Sequence, residues 1–562
     1  MRRIISVCAI LFALVCAFFS LPQDDSSVPV PAEFPAIRRR VLLIPLDSRP
    51  PCGRFVQDAA RIAGVEVVLP PAELLDEYFR PGDTAAIQAW TMDHLSEFDA
   101  AILSVDQLLH GGLLASRQAR KTTDDENALL EFLRKLRAAH QNIPLFAFSI
   151  LPRMTPPDGL CDWEEQKRLM KYSRLRGRIS RETRPKNEDL AALEELRASI
   201  SPEILAQYEK LFANYAAFGT RLIALAENGT IDRLVIGQDD SEPYSIPNLT
   251  LHRFSELLTA KNIGENRVFL TQGADELALS ILAAVEAERE GFSPRVSLLY
   301  NDASTPARVL PYMGATLENN AREKIRFIRG TLAPSPDVSD FTLFLSANNK
   351  TTKNNRRTAA AKINTLLNEN RAVALVDLSE HLCLEETLLP DLIEAEVPIH
   401  GLAAYAGWNT ASNSIGTAVA HAVLLQIAQR RAQTEHDALN VAAAHISFLD
   451  GRFLEDCYYL KDVVDHLNYS LEKCGAQNGR GLEYNYNYSL GSLLLEKALE
   501  NRRTRLVHTA AYQAPFTFKT QNAALRLRAA DFAITARFPW PRTFEIDLRI
   551  NYLHLQRYFE QP

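Results

Sequence analysis

The sequence holds no CxxC pair and no metal-finger spacing, so cysteine chemistry does not define this protein. Of its seven cysteines, Cys8 and Cys16 lie near the N-terminus, while Cys52, Cys161, Cys383, Cys457 and Cys474 are widely spaced and odd in number. Only Cys457 and Cys474 stand close enough to suggest a local disulfide. The GxSxG elbow, the GxGxxG dinucleotide loop, the P-loop and the HExxH helix are also missing, which sets aside the chemistries built on them. A basic excess is lacking as well. The net charge of −7 becomes −9 without Arg2 and Arg3, so nucleic acid and an anionic membrane surface are not expected partners. Beyond the first 23 residues no run is apolar and long enough to span a bilayer.

That first stretch is the clearest compositional signal. Arg2-Arg3 precede an apolar run from Ile4 to Leu21, and a Pro-rich polar segment from Gln23 to Pro35 follows. This pattern reads as a secretory signal or an uncleaved anchor over 1–23, with a tether over 24–38. The expected location is therefore secreted, periplasmic or membrane-anchored facing outward, with the membrane touched only through this segment.

A chain of 562 residues is too long for one ordinary core. Its 47% hydrophobic and 23% charged residues are ordinary for a globular protein, so two or three packed domains are expected. Apolar β-branched runs alternate with helical periods, the pattern of parallel α/β domains. The first series of strands is Val41–Leu46, Val65–Leu69, Ala100–Val105, Leu145–Leu151, Arg233–Ile236 and Val268–Thr271. The second is Val296–Tyr300, Ile325–Arg329, Phe341–Ser346, Ala372–Val376 and Ile399–Ala404. The reading is two doubly wound, Rossmann/flavodoxin-like α/β halves with parallel sheets, over 39–290 and 291–432. A charged, Leu/Ala-rich helical insertion over about 160–228 would form a lid or side wall. Residues 433–562 read as a helical stretch and a C-terminal segment that packs on the body. A β/α barrel with an extra domain is the alternative.

Polar residues recur just after the buried strands: Asp47 and Arg49, Asp106 and His110, Arg153, Asp239-Asp240, Asp275-Glu276, and Asn301-Asp302. In parallel α/β architectures the strand carboxyl ends share one face, where ligands bind. Any single acid there is more often a helix cap; the set together points to a site. Adjacent carboxylates repel, so one of Asp239-Asp240, or of Asp275-Glu276, would keep a raised pKa and act as an acid beside an ionised partner. The stretch from Ala404 to Thr417 places Tyr405, Trp408, Asn409 and Asn413 at a strand end and helix N-terminus, and an indole with amides suits a polyhydroxylated or N-acylated ligand. The plainer reading is a capped turn over a core tryptophan. No cofactor is required, although Asp47, Asp106, Asp239 and Asp302 could hold a divalent cation such as Mg²⁺ or Ca²⁺.

The tetrapeptide Gly273-Ala-Asp-Glu276 resembles the Gly-Gly-Asp-Glu of family 20 β-hexosaminidases, which implies an Asp that steers an N-acetyl group and a Glu acting as general acid. More extensively, LDSRP (46–50), DQLLHGGLLASR (106–117), QDDSEPYS (238–245), GADE (273–276), AYAGWNTASNSIGT (404–417) and FPWPRTFEIDL (538–548) occur in this order. Together they resemble the bacterial family catalogued as domain of unknown function 4127. That likeness implies that the closing segment belongs to the same unit, and it transfers no catalytic residue.

The expected function is hydrolysis of a glycan or amino-sugar compound. Asp239, Asp240, Asp275 and Glu276 would be catalytic, and Asp47, Arg49, Asp106, His110, Arg153, Tyr405, Trp408, Asn409 and Asn413 would bind substrate. A metal-dependent phosphoester hydrolase and a two-lobed solute-binding protein are the alternatives.

Overall fold

A computed structural model describes residues 27–30, 33–118, 121–157, 159–349, 353–475 and 480–558. The apolar leader and its two cysteines lie outside the described residues. The other five cysteines are free thiols, Cys457 buried and Cys474 exposed, so these two form no disulfide.

Six strands make the first sheet: β2 (Arg39–Ile44), β3 (Val65–Val68), β4 (Ala100–Ser104), β5 (Leu145–Leu151), β6 (Arg233–Gln238) and β7 (Val268–Gln272), where β1 is the short Ser27–Val30. Their order is β3-β2-β4-β5-β6-β7 and every pairing is parallel. The runs are apolar on both faces because both faces are covered, as buried parallel strands require. A second parallel sheet of five strands uses β8 (Arg295–Tyr300), β9 (Thr331–Leu332), β10 (Phe341–Asn348), β11 (Val373–Ser379) and β12 (Ala404–Ala406) in the order β12-β11-β10-β8-β9. Both orders reverse direction after their second strand, the doubly wound pattern, and neither sheet closes into a barrel.

Two sequence expectations are corrected here. Ile325–Arg329 is not a strand, since Ile325 to Phe327 end the helix Leu317–Phe327 and the real strand is the short Thr331–Leu332. Ile399–Gly401 is a single 3₁₀ turn before a three-residue β12. Both runs were apolar because they are buried, and burial alone does not separate a helix end from a strand.

The layer between the sheets is helical. Leu277–Arg289 follows β7 and Ala411–Arg431 follows β12; Leu277 to Ala287 and Ala411 to Leu425 are buried without a break. Both are buried around their whole circumference and mainly apolar, which fits a helix enclosed on every side. Glu286 on the first is fully buried and accepts from Arg39 of β2 at 2.6 Å and from Arg431 of the second at 2.9 Å. One continuous apolar cluster runs from Val41 of the first sheet through these helices to Leu555 near the C-terminus.

The insertion comprises Trp163–Ile179, Asn187–Ala198 and Pro202–Glu227, with a small core of its own around Leu169, Tyr208 and Phe212. It packs on the loop after β6. Arg174 makes paired bonds of 2.5 and 2.6 Å to Glu242, and a Cβ at Gly177 would lie 2.1 Å from the Tyr244 carbonyl oxygen. The C-terminal region adds Glu435–Arg452, an eleven-residue π-helix over Phe453–Val463, and an antiparallel sheet in the order β1-β15-β14-β13. Its strands are β13 (Phe516–Lys519), β14 (Ala524–Arg537) and β15 (Asp547–Tyr558). Ser27–Val30, inside the stretch read as a tether, pairs with β15.

Candidate functional site

The winding direction of the first sheet reverses between β2 and β4, and the loops after these strands open the crevice where such folds take ligands. Asp47, Ser48 and Arg49 follow β2, and Pro50–Cys52 close the segment as a 3₁₀ turn with φ set by two prolines. Arg49 is 6% exposed yet fully charged chemistry surrounds it: Nε and Nη2 donate to Asp47 Oδ2 at 2.9 and 2.6 Å, and Nη2 also reaches Asp275 Oδ1 at 2.6 Å. The Trp540 ring covers its guanidinium at 5.4 Å, and the indole N–H donates to Ser48 Oγ at 2.8 Å. Asp275 stands at the N-terminal approach to the central helix Leu277–Arg289. Asn413, in the first turn of the second central helix, accepts from Ala274 N at 3.3 Å and donates to Asp275 Oδ2 at 3.4 Å. Burial pushes Asp275 up to about 6; Arg49 opposes the shift and Asp47 adds to it.

Beside this inner cluster lies a second one from the end of β6. Arg117 is ion-paired with Asp239, whose Oδ1 also accepts the Asp240 N–H at 2.8 Å. Burial works against the ionised form of Asp239, but the charge and hydrogen bond of Arg117 prevail and its pKa is lowered. Asp240 is only partly buried and makes no side-chain ion pair among the described residues. Burial and the neighbouring Asp239 charge raise it to about 7, with Arg117 and Arg153 pulling the other way. The two clusters feel one another, since Asp275 acts on Asp240 and Asp239 on Asp275. Asp47, Asp239, Asp240 and Asp275 thus lie among the charges of Arg49, Arg117 and Arg153, and Asp76, which accepts from Ser48 N at 2.9 Å and is raised by burial and by Asp47, stands behind them. In the pair at the end of β6, Asp240 is the carboxyl raised toward neutral pH.

Other expected site residues stand elsewhere. Asp106 accepts from Ile150 N at 2.8 Å and from Tyr215 OH at 3.4 Å, bracing β4's following helix against β5, and burial raises it to about 7. His110 stacks on Tyr215 with centroids 6.0 Å apart, and burial with the Lys121 charge lowers it to about 3, leaving a neutral ring. Glu276 turns inward: its carboxylate takes Lys324 Nζ at 2.6 Å in a pair 1% exposed on each side. Tyr405 is fully buried, with its hydroxyl on Asp377 Oδ2 at 3.0 Å. Trp408 is 3% exposed and edge-on to Phe55 and Phe544, so its face is core wall rather than a platform for a sugar ring. Asn409, at φ +53°, is partly exposed just before the Thr410 N-cap.

The four-aspartate cation set is not assembled, because Asp302 caps its own loop after β8 through Ser304 N at 2.8 Å and Thr305 N at 3.2 Å. Asp47, Cys52 and Asp275 do offer donor atoms within 4.8 Å of one another. Arg49 Nη2, 2.6 Å from both carboxylates, already holds the position a cation would need.

Arg117, Cys52 and Trp540 escaped the sequence reading as site residues. Arg117 and Trp540 sit inside the motifs DQLLHGGLLASR and FPWPRTFEIDL, but nothing local ties an arginine eleven residues beyond Asp106, or an indole near the C-terminus, to the end of β6 or β2.

No curated protein and no solved structure matches the chain. A family model matches residues 41–549, a span that takes in both parallel sheets from Val41 onward and every residue of the two clusters, and the chain accordingly belongs to the family described as "Protein of unknown function (DUF4127)".

Proposed function

We propose that the protein is a hydrolase of a glycan or amino-sugar compound that uses Asp240 as the proton donor and Asp239 as its ionised partner. The observation that carries this reading is the contrast between the two neighbours: Asp239 held low by Arg117, Asp240 raised to about 7 and reachable from solvent. Neighbouring carboxyls pushed apart in pKa are the arrangement acid–base hydrolysis of a glycosidic bond uses. In that reaction Asp240 delivers its proton to the leaving oxygen as the C–O bond breaks. Water supplies hydroxide to the anomeric carbon, and its released proton passes to the ionised carboxylate. Asn413 together with the partly exposed Asn409 supplies amides for hydroxyl or N-acyl groups. Glu276, paired with Lys324, and Trp408, packed in the core, are left out of this chemistry. The apolar N-terminal run from Ile4 to Leu21, read as a leader, supports an extracytoplasmic substrate.

The test is release of reducing ends from a panel of glycans and amino-sugar glycosides. Asp240→Asn and Asp239→Asn should each lower turnover about 10²-fold or more while leaving the unfolding midpoint within a few degrees. Undiminished turnover in Asp240→Asn would overturn the assignment.

A further inference from the structure

The other end of the second sheet, at the strand N-termini, encloses a cavity of about 480 Å³. The approaches to β10, β11 and β12 and the last turns of Ala411–Arg431 form one side; β13 and Arg526 of β14 form the other. This volume lies within the roughly 300–1,000 Å³ of small-molecule sites. Two lining residues carry orphaned polar atoms: His400 Nδ1, on a side chain 1% exposed, and Arg371 Nε are buried with no hydrogen-bond partner among the described residues. Buried polar groups are nearly always satisfied, so each orphan asks for an occupant.

The chemistry of that occupant follows from what is already engaged. His400 Nε2 is bonded to Asp450 Oδ1 at 3.0 Å and the ring stands edge-on to Tyr512, which fixes its orientation. In the tautomer that places the proton on Nε2, toward Asp450, Nδ1 is an acceptor. Arg371 spends Nη2 on Asp337 at 2.6 Å and keeps its Nε–H. Lys519 and Arg526 are exposed at the rim. The lining carboxylate, Asp340, is engaged on both oxygens: Oδ1 accepts from Arg430 at 3.0 Å and Oδ2 from Arg295 N at 2.7 Å. Arg371, Lys519 and Arg526 therefore bring cationic groups to the lining, the amides of Asn368, Asn370, Gln426 and Gln429 add polar contacts, and Phe516 and Leu367 give the cavity an apolar flank.

We infer that this cavity binds a small hydroxylated organic anion, a sugar phosphate or a sugar acid. Its anionic group lies toward Arg371, Lys519 and Arg526, and a hydroxyl donates to His400 Nδ1. The site is separate from the Asp239–Asp240 cluster and does not depend on the hydrolase reading.

Isothermal titration of the full chain with glucose 6-phosphate, glucuronate and glucose tests it. Saturable binding of glucose 6-phosphate or glucuronate, with none of glucose, is expected, and the better of the two anions tells phosphate from carboxylate. Lys519→Glu combined with Arg526→Glu, two exposed positions that folding should tolerate, should weaken binding at least 10-fold, whereas Asp240→Asn should leave it unchanged. Absence of binding by both anions, or an unaltered affinity in the charge-reversed variant, would overturn the assignment.

Discussion

Asp106, Asp239 and Asp240 show how three aspartates in similar sequence settings reach different states. Each follows an apolar strand, and that position was legible as strand-end polarity. Their partners were not, because Arg117 and Tyr215 come from distant segments. The consequence for Asp106 can be measured. Its folded pKa of about 7, raised chiefly by burial, exceeds the ordinary value near 4, so between these limits the folded state binds more protons than the unfolded one. Stability from this group is present at low pH and is lost as pH rises through that window. Asp106→Asn, which keeps an oxygen for the Ile150 N–H, should therefore gain stability relative to wild type from pH 5 to pH 8 in urea unfolding. A constant difference across that range would contradict the assignment. Glu276 differs again. Lys324→Met leaves its carboxylate buried and unpaired, and should cost about 3–5 kcal/mol, with much of the loss recovered in Lys324→Met/Glu276→Gln. Urea midpoints of the two variants decide whether the pair is structural.

At the scale of elements, the strands of the first sheet were readable because both faces are buried and the runs are uniformly apolar. The second sheet was read with errors where a turn or helix end was as apolar as a strand. The strand β14 was missed, although alternation in Leu525, Leu527 and Ala529, all buried with exposed or partly exposed residues between, is its period-two signal. The two central helices meet where Gly416 passes Glu276. A Cβ there would lie 2.4 Å from Glu276 Cγ, a contact no side chain at that position can keep. Gly416→Ala should therefore destabilise by about 1–3 kcal/mol through overpacking. Because Asn413 lies one turn earlier on the same helix, the substitution should also lower turnover. A variant as stable as wild type would mean that the helices have room to part.

For the whole molecule, the sequence indicated two α/β halves, and both parallel sheets are present. How completely they share a core could not be read, since it depends on two helices separated by more than a hundred residues packing together. Leu277–Arg289 packs on the first sheet and against Ala411–Arg431, which in turn packs on the second sheet, so residues 39–290 alone would expose one of its faces. Unfolding of the intact protein should be a single transition, coincident by circular dichroism and by tryptophan fluorescence, and a 39–290 fragment should bind a hydrophobic dye. Two separated transitions would show that the halves are independent. The same sharing joins Asn413, from the second half, to Asp275 of the first, so the candidate site is built by both.

The most direct test of the account is the pH dependence of glycan hydrolysis by wild type and Asp240→Asn between pH 4 and pH 9. If Asp240 is the proton donor, wild-type kcat/KM falls as pH rises through about 7, where its carboxyl ionises. The variant should lose that limb along with most of its turnover. A wild-type profile flat through pH 7, or a variant that keeps both the rate and the limb, would contradict it.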